Sequence, residues 1–183
     1  MIKKYSYLQI FSETFTELRT SYDVIQFSEQ SFINFRKLQA FGISKQDLVD
    51  YCESAIAFAD SDYFTIKSLE NFGFYSELED LGFDNIFYES LLKYCPKISF
   101  FRTNNVYVFK FTNDSISKTT FISNIIDKYK FIESCDLIDL LKNNYGIKVD
   151  IYELKEAISN TNIYYNSIMD TFYINYNVFL EEV

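Results

Sequence analysis

The chain contains no histidine and no tryptophan, a single proline, and only four glycines in 183 residues. Each absence removes a class of function. Without histidine there is no Ser-His-Asp or Cys-His catalytic arrangement and no zinc site of the usual Cys/His kind. Four scattered glycines cannot build a phosphate-cradling loop. The three cysteines, Cys52, Cys95 and Cys135, are odd in number, widely spaced and without a CxxC pair. They read as reduced thiols of a cytoplasmic protein, not as a disulfide framework. No run approaches the roughly 18–20 apolar residues of a membrane-spanning helix. The basic opening, Met1-Ile2-Lys3-Lys4-Tyr5, is interrupted by Ser6, Gln9, Ser12 and Glu13 before an apolar signal core can form.

Positive charge is also scarce: 17 Lys and Arg stand against 26 Asp and Glu, a formal net charge of −9. That balance opposes a surface that embraces phosphate backbone over its whole extent, and it favours basic or protein partners. What is abundant is apolar and aromatic material: 48% of the residues are hydrophobic, with 20 Phe and 16 Tyr. The rings accompany an excess of Ile, Asn and Lys, as an AT-rich genome produces, so their number is not a nucleic-acid stacking signal. No Pro-rich or Gly/Ser-rich linker separates segments, so the units are expected to pack together.

A block recurs along the chain: a helical stretch, a Gly followed by Ile or Phe, and a second helical stretch. Gly42-Ile43, Gly82-Phe83 and Gly146-Ile147 mark the copies. A helix stopped by glycine and followed at once by another helix reads as helix-turn-helix. The last copy is the clearest. Residues 118–129 place Phe121, Ile122, Ile125 and Ile126 at helical spacing, 130–133 form a short extended run, 136–145 a helix ended by Gly146, and 150–159 a helix capped by Asp150. Two β-type runs, 163–165 and 171–174, follow around the polar 166–170. Helix, strand, helix, helix, hairpin is the order of a winged helix, with the hairpin as wing.

The preceding copy lies about 64 residues upstream, with Tyr88-Glu89 on Tyr152-Glu153 and Gly82 on Gly146. It assigns a helix to 47–59, a strand to 63–67, a helix ending at 78–81, a recognition-position helix to 84–94, and a hairpin of 98–102 and 106–111 turning at Asn104-Asn105. Upstream, Tyr22-Asp23-Val24-Ile25 opens a strand, and 32–41 with 44–55 makes a third helix-turn-helix whose last helix equally serves as the opening helix of the next unit. The expected fold is therefore α+β and mostly helical, a tandem winged helix with a third, degenerate copy at the N-terminus. The segments are 1–44, 45–114 and 115–183.

In a winged helix, nucleic acid is met by the third helix and the wing. Over 84–113, Lys93, Lys97, Arg102 and Lys110 oppose Asp84 and Glu89, a net +2 in an acidic chain. Lys93, Lys97, Arg102, Asn104, Asn105 and Lys110 are the candidate nucleic-acid contacts, with Arg102, Asn104 and Asn105 at the wing tip. The last unit argues the other way: its third helix carries Asp150, Glu153 and Glu156, and its wing has no cation. The aromatic run Ile163, Tyr164, Tyr165, Phe172, Tyr173 and Tyr176 reads mainly as a hairpin with one ring row in the core. Paired carboxylates at Glu77/Glu79/Asp80 and Glu181/Glu182 read as solvated surface, so no catalytic residue, metal or cofactor is expected.

Over 63–183 the strings YFTIKSL, LGFDNIFYESLL, YGIKVDIYELKEAIS and NIYYNSIMDTFYINYNVFLEEV resemble the C-terminal region of uncharacterised low-GC bacterial proteins, some with helix-turn-helix or sigma-factor-like DNA-binding segments. The resemblance implies a winged-helix region, in those proteins the tail of a longer chain, and no catalytic residue. The functional expectation is a non-enzymatic module associated with DNA or transcription. Its alternatives are a protein-interaction or dimerisation module, supported by the apolar Val178-Phe179-Leu180, and an acidic inhibitor that mimics DNA. Neither a membrane nor a small-molecule substrate is indicated.

Overall fold

The computed structural model describes residues 3–60 and 62–182. Met1 and Ile2 of the basic opening lie outside the described residues. The fold is α+β, about half helical, with small antiparallel sheets. It divides into two compact units, Met1–Ser61 with Gly73–Ile98, and Asp62–Phe72 with Ser99–Val183. The segments read from sequence run differently, since 45–114 supplies residues to both units.

The first unit begins with α1 (Lys3–Thr20), β1 (Val24–Ser28), β2 (Ser31–Asn34), α2 (Phe35–Gln39) and α3 (Lys45–Ala59). After α4 (Ile66–Asn71), which belongs to the other unit, it resumes with a 3-10 turn at Glu77–Leu81 and α5 (Asn85–Tyr94). A capping box starts α3: the Ser44 hydroxyl accepts the Asp47 N–H at 3.2 Å and the Asp47 carboxylate accepts the Ser44 N–H at 2.7 Å. Leu48, Tyr51, Cys52 and Ala55 then fall on one helical face and are buried, as are Phe87, Tyr88, Leu91 and Leu92 of α5. β1 packs on α5, where Ser90 Oγ accepts the Gln26 N–H at 3.1 Å and the Tyr22 hydroxyl donates to the Leu91 carbonyl at 3.2 Å. Arg19 closes the end of α1 with its guanidinium 4.5 Å from the Tyr94 ring and a hydrogen bond to Gln26.

In the second unit Phe64 exchanges both backbone hydrogen bonds with Phe109, at 2.9 and 2.8 Å. The elements that follow α4 are β3 (Ile98–Thr103), β4 (Val106–Phe111), α6 (Lys118–Tyr129), β5 (Phe131–Glu133), α7 (Ser134–Tyr145), α8 (Ile151–Ile158), β6 (Tyr164–Asn166), β7 (Thr171–Tyr173) and α9 (Tyr176–Glu182). β3 pairs with β4, and β7 is central to a sheet of order β5-β7-β6. Phe172 lies opposite both Ile132 and Tyr165. Its ring enters a core with Phe121, Ile125, Leu137, Leu141 and Leu154.

Gly146 sets the turn between α7 and α8. Its φ of +75° is left-handed, a region where a Cβ meets the following carbonyl, and there the chain reverses so that the Ile147 N–H reaches the Leu141 carbonyl at 2.9 Å. Ile147 is thereby turned into the core. The residue after each marker glycine behaves alike: Ile43 is buried, and Phe83 stacks on Phe87 with centroids 4.2 Å apart.

The elements expected over 115–183 are found, with α9 added. Upstream the structure corrects the reading. The helix expected over 32–41 is the strand β2 followed by the short α2, because Ser31–Asn34 pairs with β1 and Asn34 caps the Arg36 N–H. The strand expected over 63–67 contracts to a bridge at Phe64, because Thr65 and Ser68 form a capping box that starts α4 at Ile66. The helix expected to end at 78–81 is a single 3-10 turn started by Ser76.

Candidate interaction surfaces

α5 covers the segment expected to serve as a recognition helix. Phe87, Tyr88, Ser90, Leu91 and Leu92 are buried, Ile86, Glu89, Lys93 and Tyr94 are half-buried, and only Asn85 is exposed. β1 and α3 cover this helix.

The six sequence-derived contacts are divided between the two units. Lys93 and Lys97 belong to the first unit, and Arg102, Asn104, Asn105 and Lys110 to the second. Asn104 and Asn105 make the two-residue turn between β3 and β4 with φ of +45° and +65°, the left-handed pair for which Asn is suited. Arg102 donates to the Asn105 side chain at 3.2 Å and lies 5.3 Å from the Tyr107 ring. Lys110 Nζ sits 4.4 Å from the Tyr63 ring. The Asn104 amide donates to the Lys148 carbonyl and, at 3.2 Å, to Glu153 Oε2. The tip of this hairpin is thus held at the start of α8.

α8 starts with a capping box in which Asp150 accepts the Glu153 N–H at 2.8 Å. Glu153 also receives Asn104 and lies 3.9 Å from Lys118. What α8 presents outward is Tyr152, 77% exposed, and Glu156. Lys155 lies across the Tyr165 ring at 4.1 Å, joining the helix to β6.

The β6–β7 tip is anchored from within. Asn166 Oδ1 accepts the Ile168 and Met169 N–H groups at 2.9 and 3.0 Å. Asp170 accepts from the Tyr165 and Ser134 hydroxyls, and its carbonyl accepts the Ser134 N–H at 2.8 Å, tying the turn to the start of α7. The Tyr165 hydroxyl, then that of Ser134, hold the Asp170 carboxyl below its ordinary range, with Lys155 adding to the effect. On this fixed turn Ile168 points outward at 94% exposure, beside the half-exposed Met169. An Ile-Met pair in a hairpin tip, where polar residues are usual, was legible in the sequence and went unread.

The aromatic run divides as alternation dictates. Phe172 is in the core, while Tyr173 is 2% exposed beneath α9, with Phe179 at 5.3 Å. Tyr164 meets Tyr176 and Phe179 at 4.9 and 5.0 Å. These rings are engaged with one another, and Phe179 of the apolar tail is spent inside its own unit.

In the first unit, the outer face of α3 carries Asp47, Asp50 and Glu53. A cavity of about 380 Å³ between this helix and the 3-10 turn is bordered by Asp47, Asp50 and Glu77, with no Lys or Arg on its wall. Among the described residues no helix is long and apolar enough to cross a membrane. No family model, curated protein or solved structure matches the chain.

Proposed function

We propose that this chain is a non-enzymatic protein-interaction module built on winged-helix architecture, and that its last unit docks on a basic partner. Residues 115–183 follow the order helix, strand, helix, helix, strand, strand, and β5 pairs with the second strand of the hairpin. Over 45–114 a related order appears, with α4 and the 3-10 turn in place of the middle helix, and Phe64 pairs with Phe109 of β4 as β5 pairs with β7.

The carrying observation is how the helices in recognition position are used. α5 is enclosed, α8 turns Tyr152 and Glu156 outward, and the hairpin joined to α8 through Lys155 and Tyr165 carries Ile168 at its tip. An apolar projection and a carboxylate-bearing helix in one unit suit a protein surface with an apolar pocket and basic residues, and the carboxylate disfavours phosphate. Burying one Ile side chain contributes about 2 kcal/mol, roughly thirtyfold in Kd.

Selection of random peptides on the immobilised full chain tests the reading. Enriched sequences are expected to place Lys or Arg around an apolar anchor and to lose about thirtyfold in affinity for Ile168→Asp. Peptides that bind Ile168→Asp and Glu156→Lys as well as the parent would refute it.

A further inference from the structure

We propose that the groove between α3 and the 3-10 turn of the first unit is a receptacle for an arginine side chain on a peptide segment of a partner protein. Its cavity measures about 380 Å³, and every lining residue belongs to the first unit, so the site shares no residue with the Ile168 tip and does not depend on it. The floor is apolar. Ile43, Tyr51 and Leu78 are buried there, and Leu81, 40% exposed, extends it toward solvent. The Tyr51 ring is held by Phe74 and Tyr88, with centroids 5.7 and 5.2 Å away. Such a floor suits the methylene stem of a long cationic side chain, which buries its carbons and keeps its charge at the rim.

The rim is anionic. Asp47 and Asp50 are one turn apart on α3, and Glu77 stands on the 3-10 turn that forms the other wall. Asp47 Oδ2 accepts the Ser44 N–H at 2.7 Å and Asp50 Oδ1 accepts the Gln46 amide at 2.8 Å, so both carboxylates are placed before any ligand arrives. A carboxylate offers about four acceptor sites, and each keeps capacity for a donor from the groove. The chain's own cations do not take it up: among the described residues none of the three carboxylates forms an ion pair. Lys45, their nearest cationic neighbour in sequence, is drawn instead to Asp23 at 2.6 Å and to the Phe35 ring. Guanidinium complements this rim better than ammonium, because its planar fork carries five donors and can serve carboxylates on both walls at once. A peptide fits better than a free amine. Phe41, two residues before Ile43, is 79% exposed, and with Leu81 it gives apolar surface to residues that flank the arginine.

The test titrates the uniformly nitrogen-15-labelled full chain with acetyl-Leu-Arg-Leu-amide, with the same peptide carrying neutral citrulline for arginine, and with spermidine. The arginine peptide is expected to shift the amides of Asp50, Ser54, Leu78 and Leu81, and to bind at least about tenfold more tightly than the citrulline peptide. Asp50→Asn and Glu77→Gln should each weaken it about three- to fivefold, while Ile168→Asp binds it as the parent does. The citrulline comparison is made on the parent and needs no variant to fold. Equal binding of the two peptides, shifts confined to other residues, or tighter occupation of the groove by spermidine than by the arginine peptide would each overturn the proposal.

Discussion

Replacing Gly146 by Ala tests the turn on which the second unit is organised. At φ +75° an Ala enters the left-handed region, at a cost of about 1–2 kcal/mol. Ala also restricts the unfolded chain, which returns about 0.4–1 kcal/mol. A Cβ at Gly146 would stand 3.3 Å from both Cβ and Cγ of Lys67, atoms near the backbone that yield less readily than the end of a side chain. Gly82 has a similar φ of +67° with nothing within 4 Å of its virtual Cβ. Gly82→Ala is therefore expected to lose about 1 kcal/mol and Gly146→Ala about 2 kcal/mol, the difference being the Lys67 contact. Urea titrations followed by far-UV circular dichroism measure both, and Lys67→Ala in the Gly146→Ala background should recover part of the excess. Equal losses at the two glycines, or a Gly146→Ala chain as stable as the parent, would refute the reasoning.

Phe172→Ala removes a fully buried ring and is expected to lose about 3–5 kcal/mol, visible as a collapse of the thermal midpoint; a near-native midpoint would contradict the core assignment. Asn104→Gly keeps the left-handed turn but drops the amide contacts to Lys148 and Glu153, so it should cost about 1 kcal/mol, while Asn104→Ala adds backbone strain and should cost more. Asp170 has a folded pKa below the ordinary 3.8, so the folded state binds the proton less readily than the unfolded one. Its contribution is complete above the unfolded pKa and disappears as pH falls through the folded value. Asp170→Asn should therefore be less stable than the parent at neutral pH and converge with it in strong acid. Carbon-13 titration of the Asp170 carboxyl gives the folded pKa directly, and a value at or above 3.8 would contradict the hydrogen-bonded turn.

Residues 115–183 were legible because their local signals agree. α6 starts where Ser117 caps it, α7 ends on Gly146, and Asp150 starts α8. Upstream, signals compete. Phe32 and Ile33 suit a helix or a strand, and pairing with β1 decides between them, which no local window contains. Thr65 favours a strand as a β-branched residue, yet as a cap it starts a helix. α1 carries Phe11, Phe15 and Leu18 on one side and Ser12, Glu13, Thr16 and Glu17 on the other, a stripe too narrow to announce the helix against its polar content. The cationic window over 84–113 was counted correctly as charge. The packing of β1 on α5, and the hydrogen bonds of Asn104 to Lys148 and Glu153, depend on residues more than 40 positions away and could not be read beside that count.

The most direct measurement is an anisotropy titration of the full chain against a labelled DNA duplex of about 20 base pairs in about 150 mM salt. With α5 covered and α8 presenting carboxylate, the chain is expected to show no saturable binding up to about 10 µM, the tight end of nonspecific affinity. Saturable binding below that concentration, weakened by Lys97→Ala and Arg102→Ala and by added salt, would contradict the account.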